Sequence, residues 1–198
     1  MPDTGAPWNI PYVAGTDLVR DWPTDSQDLA EAIADGLDEA GNAGIGTNVA
    51  QTVKTDTFTG TSSSFVDITG LTVTITPTAT ASKILLIAQV GVSADAGDNF
   101  HLRLSGGNAT DFVGDAASNR TRAIASVRGD SGTYEPRLNI LSYPLIYLDS
   151  PSTTSPVTYS VQYRRFGGTA YINRAATDSD FNSVPRGASS LTAIEVAA

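Results

Sequence analysis

An antiparallel β-sandwich or jelly roll, mainly β and preceded by an extended arm and one short helix, is the fold class this sequence predicts. Three observations lead there. From residue 51 onward apolar side chains recur at every second position in short runs separated by Gly, Asn, Asp, Ser and Pro, the period of half-buried strands. Only 17% of the residues are charged, and Thr, Ser, Gly and Ala fill the deficit, a composition that suits strands and turns. Residues 1–23 carry Pro2, Pro7, Pro11 and Pro23, a density that forbids a long helix or a central strand.

The arm comes first. Trp8, Tyr12 and Trp22 lie between its prolines, and an extended segment cannot bury such large rings against itself, so another surface must cover them. Thr24-Asp25-Ser26-Gln27 fits a capping box and opens a helix over about residues 25–40. Leu29, Ile33 and Leu37 recur every four residues with Ala30, Ala34 and Ala40 beside them, opposite Asp28, Glu31, Asp35, Asp38 and Glu39. Gly41 stops the helix, which at about four turns is marginal alone in water and needs a partner for its stripe. The glycine-rich stretch Gly41–Asn48 is a joint. The chain therefore divides into an acidic docking arm over residues 1–48 and a β-sandwich domain over residues 49–198.

Strands follow in order. Thr52–Phe58 is a weak one, and Phe65–Ile68 is expected to pair with it across the polar turn Thr61–Ser64. Leu71, Val73 and Ile75 alternate with Thr72, Thr74 and Thr76 until Pro77. Ile84–Val92 is apolar on both faces for much of its length, which marks a strand covered on both sides, by the core and by a neighbouring subunit. Further strands are expected at Asn99–Leu104, Asp111–Val113, Arg122–Arg128, Leu138–Leu148, Val157–Phe166, Thr169–Ile172 and Leu191–Val196. About ten strands with no helix between them leave a two-sheet sandwich or jelly roll as the simplest architecture.

Charge and composition exclude several function classes. Nine acids (Asp3, Asp17, Asp21, Asp25, Asp28, Glu31, Asp35, Asp38 and Glu39) face one base, Arg20, within residues 1–50, so that segment holds nearly all of the net −9. Nucleic acid is not an expected partner, since its phosphates would be repelled. With no cysteine there is no disulfide framework, thiolate metal site or cysteine nucleophile. The start of the chain lacks a signal-peptide pattern, and no stretch approaches the roughly 20 apolar residues of a membrane span, so neither secretion nor membrane insertion is expected.

The runs Gly5–Val13 (GAPWNIPYV) and Ala30–Leu37 (AEAIADGL) resemble the N-terminal attachment segments of tailed-bacteriophage appendage proteins. Gln51–Phe58, Leu71–Thr76, Ala81–Leu85 and Ser190–Val196 are similar to β-domains that recur in phage fibres and related virion proteins. The resemblance covers the arm and both ends of the β-domain. It implies a homotrimer of jelly-roll-like domains with no catalytic motif, assembled in the host cytoplasm and located in the virion. The function it implies is a tail-fibre or adhesin-type protein that docks on another virion protein through residues 1–40 and meets a host-surface glycan or protein through its β-domain. A capsid decoration or head-fibre protein is the alternative, and a glycan depolymerase the third reading. The virion-docking residues would be Trp8, Ile10, Tyr12, Trp22, Leu29, Ile33 and Leu37.

Little in the β-domain points to chemistry. Glycan cleavage would need paired carboxylates roughly 5–10 Å apart, and Asp178 with Asp180, Asp95 with Asp98, and Asp111 with Asp115 are the candidates. All lie in turn-rich contexts where a solvated, turn-forming carboxylate is the simpler account. Asp95-Ala96-Gly97-Asp98-Asn99 offers oxygen ligands but lacks the spacing of a calcium loop. His101, the single histidine, stands on a strand between Phe100 and Leu102 and reads as structural. Gly106-Gly107 and Gly167-Gly168 read as hairpin turns. Tyr134, Tyr143, Tyr147, Tyr159, Tyr163 and Tyr171, with Arg164 and Arg165, are residue types that stack on sugars or anchor interfaces, and equally ordinary sheet packing. No catalytic, cofactor or metal residue is expected.

Overall fold

The computed structural model describes residues 27–36, 45–129 and 138–197. The chain forms two compact units, residues 1–44 and 45–198. Within the first, residues 27–36 are helical, and Gln27 Nε2 donates to Glu31 Oε1 at 2.9 Å across one turn.

The second unit is an antiparallel β-sandwich. Its strands are β1 (Ile45–Lys54), β2 (Phe58–Gly60), β3 (Val66–Ile75), β4 (Lys83–Ala94), β5 (Asn99–Ser105), β6 (Ala125–Arg128), β7 (Leu141–Asp149), β8 (Val157–Arg165), β9 (Ala170–Ile172) and β10 (Ser189–Val196). Five antiparallel pairs nest inside one another: β5 with β6, β4 with β7, β3 with β8, the short β2 with β9, and β1 with β10. The chain is thus a long two-stranded ribbon, closed at β5–β6, that wraps on itself. Wrapping puts β1, β10, β4 and β7 in one sheet and β3, β8, β5 and β6 in the other, the jelly-roll order. Two short strands extend the larger sheet, with β9 continuing along β4 at Val92–Ala94 and β2 lying outside it.

Alternation explains why these segments pair as they do. Leu71, Val73 and Ile75 of β3, Phe100, Leu102 and Leu104 of β5, and Tyr159, Val161 and Tyr163 of β8 point inward from the smaller sheet. They meet Ile84, Leu86, Ala88, Val90 and Val92 of β4 and Leu191 and Ala193 of β10. Along one side the sheets are stitched by Thr52 Oγ1, which donates to the Thr72 carbonyl at 2.6 Å, and by Asn48 Nδ2, which donates to the Thr76 carbonyl at 2.7 Å. At the other side Ala96 and Gly129 form a single bridge.

Several sequence expectations need correction. Val66–Ile75 is one strand with a bulge between Asp67 and Thr72, and it pairs with β8 rather than with the segment before it. Local hairpin pairing loses here because β3 belongs to the opposite sheet from β1 and β2. No strand forms at Asp111–Val113. A short 3-10 helix over Ala109–Asp111 plugs the sandwich end with the buried Ala109 instead. Neither glycine pair closes a hairpin. Gly106, at φ +103°, turns the chain from β5 into that 3-10 helix, where a Cβ would strike the Thr158 carbonyl. Gly167-Gly168 carries the chain from β8 in one sheet to β9 in the other, and a Cβ on Gly168 would strike the Asp98 carboxylate.

Candidate assembly surface

On the helix over residues 27–36, Leu29 is half-buried and Ile33 is 45% exposed, four residues apart on one side. Trp8, Ile10, Tyr12, Trp22 and Leu37 lie outside the described residues. No helix among the described residues is long and apolar enough to cross a membrane.

The outer faces of the two sheets differ. In the larger sheet, register aligns three outward rungs across four strands: Val49–Ile194–Leu85–Leu148, Gln51–Thr192–Ile87–Ile146, and Val53–Ser190–Gln89–Pro144. None of these twelve residues is charged. Val49 is 51% exposed, Val53 57%, Ile87 38%, Ile146 56% and Leu148 44%. The amide of Gln51 donates to Thr192 Oγ1 at 2.8 Å, and that of Gln89 to Ser142 Oγ, so the polar groups of this face are largely spent on one another. A solvated sheet face commonly carries charged or polar side chains at such positions; these three rungs carry none that is charged and are rich in aliphatics.

In the smaller sheet the corresponding rungs are Asp67–Gln162–Arg103, Thr72–Ser160–Ser105 and Arg164–His101–Ser126. The first rung is knit by side chains, with Asp67 Oδ1 accepting from Ser160 Oγ at 2.7 Å and Gln162 Nε2 at 2.8 Å, and Gln162 Oε1 accepting from Arg103 Nε at 2.8 Å. This face is built for water. Sequence periodicity found the doubly apolar β4 but not Val49, Val53, Ile146 and Leu148, because only the register shows that they continue its outer side.

The edge strand β7 pairs only with β4 among the described strands and carries Pro144, whose missing N–H blunts further pairing along that edge. Association through this sheet would therefore use its face rather than its edge.

The carboxylate pairs named from the sequence have other occupations. Asp178 is held by Arg186 at 2.8 Å and faces Arg174 at 3.6 Å. Asp95 Oδ2 accepts from the Tyr171 hydroxyl at 3.1 Å, and Asp98 packs against Gly167 and Gly168. Among the described residues no group of three His, Cys, Asp or Glu side chains is placed to hold a metal. Of the tyrosines, Tyr159 and Tyr163 are buried in the core. Tyr147 stacks on Phe112 at 4.6 Å, and Arg174 lies 4.9 Å over the Tyr171 ring.

Two buried carboxylates went unread in the sequence. Asp149 accepts from the Tyr159 hydroxyl at 2.6 Å and from the Asn108 backbone N–H at 3.1 Å. Burial, and then this carboxylate, push the Tyr159 phenol well above its usual range. Glu195 accepts from Thr78 N–H at 2.7 Å, Thr78 Oγ1 at 2.6 Å and Asn48 Nδ2 at 2.8 Å.

No protein-family model matches the chain, and none of the curated proteins does. Among solved structures it overlaps with PRD1 vertex protein P5 at a TM-score of 0.39 and 11% identity, covering 78% of this chain and 100% of that one. It also overlaps with a mutant VP2 protein of infectious bursal disease virus in T=1 particles, at 0.33 and 13%, over 76% of this chain and 36% of the other. The VP2 subviral particle of the same virus gives 0.31 and 15%, over 75% and 37%.

Proposed function

We propose that this chain is a structural component of a phage particle, a trimeric tail-fibre or adhesin-type protein. Residues 1–40 fix it to another virion protein, the outer face of its larger sheet packs against further copies of itself, and the polar face of its smaller sheet stays in solvent to meet the host surface. The observation that carries this reading is the contrast between the two outer faces. The number three comes from the resemblance of the arm and the strand phrases to phage appendages; the face comes from the register.

The energetics support self-association. Covering one of these half-exposed aliphatic side chains contributes about 1 kcal/mol, so the five sum to about 5 kcal/mol per copy, near the lower end of the roughly 4–15 kcal/mol that association costs. The same five side chains are covered once per copy in a pair or in a ring, so this energy argues for self-association and the number three rests on the resemblance alone. We assign no catalytic step to the chain, since Asp178 is engaged by two arginines and Asp95 by the Tyr171 hydroxyl.

Sedimentation of the full chain should give three copies, and Ile146→Asp should release monomers of unchanged melting temperature. A wild-type monomer at micromolar concentration would remove the self-association. Antibody labelling of particles in the electron microscope should place the chain on the tail, and Trp8→Ala or Ile33→Asp should keep it off the particle. Label on the head would favour the capsid-decoration alternative, and unlabelled particles would overturn both readings.

A further inference from the structure

Beyond the assembly face, the β-domain holds a second feature, on its opposite, polar side. The segment from Gly114 to Ala123 folds back over the outer face of the smaller sheet and lines an open cavity of about 280 Å³, with His101 and Ser126 on the strand side and the exposed Asp115, Arg120 and Arg122, with Thr121, on the loop side. The loop is closed by its own bonds. Gly114 N–H donates to the Ala123 carbonyl at 3.2 Å, and Arg122 Nε donates to the Gly114 carbonyl at 2.7 Å. A third arginine reaches the rim: Arg164, paired across the ladder with His101, donates through Nη1 to Thr121 Oγ1 at 2.6 Å and through Nε to the Ser63 carbonyl at 2.7 Å.

Three features of this cavity point to a ligand. Arg122 and Arg164 are each pinned through Nε, so their guanidinium planes are set in advance while donors remain, and among the described residues none of the three arginines pairs with a carboxylate within salt-bridge distance. His101 Nδ1 is buried with no hydrogen-bond partner among the described residues, so an unpaired polar atom lies beneath the strand side of the cavity. The walls hold small residues, Gly114, Ala117 and Ala123, together with hydroxyls and one carboxylate, and no aromatic ring. A held guanidinium, Arg122, with the unpaired Arg120 beside it selects an anion. Hydroxyls and a lone carboxylate add acceptors that a bare anion cannot use but a sugar can.

We infer that this cavity binds the acidic residue of a surface saccharide, its carboxylate on Arg120 and Arg122 and its hydroxyls on Asp115, Thr121 and Ser126. A volume just under the roughly 300–1,000 Å³ of sites for drug-sized ligands suits a single sugar unit. Burial, and then the nearby Arg164 charge, keep the imidazole pKa below its ordinary value, so His101 stays neutral and leaves the arginines as the cations. The inference deepens the host-contact part of the proposed function and rests on the polar face remaining in solvent.

One histidine makes the test direct, because its ring protons form an isolated pair of signals. The full-length chain is titrated at neutral pH with glucuronic acid, glucose and inorganic sulfate while the His101 ring signals are followed by NMR. Glucuronic acid should shift them saturably, glucose should leave them unmoved, and sulfate should act several-fold more weakly than glucuronic acid. Arg122→Gln should weaken glucuronic acid about tenfold, the loss of a bidentate charged contact, with melting unchanged. Because Arg122 also closes the loop, Arg120→Gln, whose side chain makes no hydrogen bond among the described residues, is the second variant and should weaken binding similarly. An equal response to glucose, an equal response to sulfate, or full affinity in Arg120→Gln would each overturn the inference. These measurements need no particle, so a negative result leaves the assembly reading standing, and a chain absent from particles could still bind the sugar.

Discussion

Glu195 shows what single residues do in this fold. It faces inward at the end of β10, and burial pulls its pKa up. The nearby Ser82 hydroxyl and the hydrogen bonds from Thr78 and Asn48 outweigh that and hold it down from an ordinary 4.5 to about 2. A depressed carboxylate stabilises the fold at pH values above its unfolded pKa, and that stability is lost as pH falls through the folded one. The contribution is on the order of 3 kcal/mol near neutrality and should drain away between about pH 5 and pH 2. Glu195→Gln should therefore melt below wild type at pH 7, with the gap narrowing as melts are repeated in acid. A gap that stayed constant with pH would mean that packing, not charge, is what Glu195 contributes. Asn173 plays a comparable role by a different route. It adopts a left-handed backbone at φ +60°, which Asn tolerates better than most residues. Its side chain donates to the carbonyls of Lys54 and Asp56 and accepts from Ser189 Oγ, tying the end of β1 to the start of β10.

At the scale of elements, strand pairs differ in how much holds them. β4 is flanked on both sides for most of its length and supplies six of the core residues. β2 and β9 are three residues each; β9 is held by its pairing with β4 and by the buried Ala170 and Ile172, while β2, outermost, has β9 and the edge-to-face contact of Phe58 with Tyr163 at 5.4 Å. Hydrogen exchange should reflect this: amides of Phe58–Gly60 should exchange through local opening while those of Ile84–Val90 exchange only with global unfolding. Equal protection in the two would mean that the outer pair is part of the cooperative core. What the sequence showed of the elements follows the same division. Strands with clean alternation against the core, such as Leu71–Ile75, Val157–Arg165 and Leu191–Val196, were legible because one face is buried throughout. Pairing was not, since Val66 meets Tyr163 and Val49 meets Ile194, partners too distant along the chain for any local pattern to reveal. Neither sheet's outer face could be assembled from sequence for that reason. The arginines around His101 come from a loop and from β8, and nothing in their spacing announces that they converge.

For the whole molecule, the nested ribbon makes most contacts long-range, and β1 finds β10 only after every inner pair has a reason to form. Closing loops of this length before contacts repay them makes such topologies slow to fold. The charge is organised at the same scale. Residues 1–50 carry nearly all of the net −9, while the β-domain is close to neutral, so long-range attraction to a basic partner would belong to the arm and the uncharged sheet face could approach its own kind without repulsion.

Pairing of Ile45 with Val196 bears on force. The two strands that carry the ends of the β-domain lie side by side with those ends together, so tension applied between them peels the ladder one rung at a time, as a zipper opens. Tension applied from Thr55 to Val196 would instead slide the same strands past each other and load every rung at once. The chain has no cysteine, so handles placed by Ile45→Cys with Val196→Cys, or Thr55→Cys with Val196→Cys, are unambiguous. In an optical trap the first pair should yield at clearly lower force than the second, and equal forces would show that the β1–β10 ladder is not what gives way. A protein pulled in the peeling direction is a poor rope. It would bear load best if tension entering ahead of Ile45 left through the broad outer face of the larger sheet and never reached the other end of the chain.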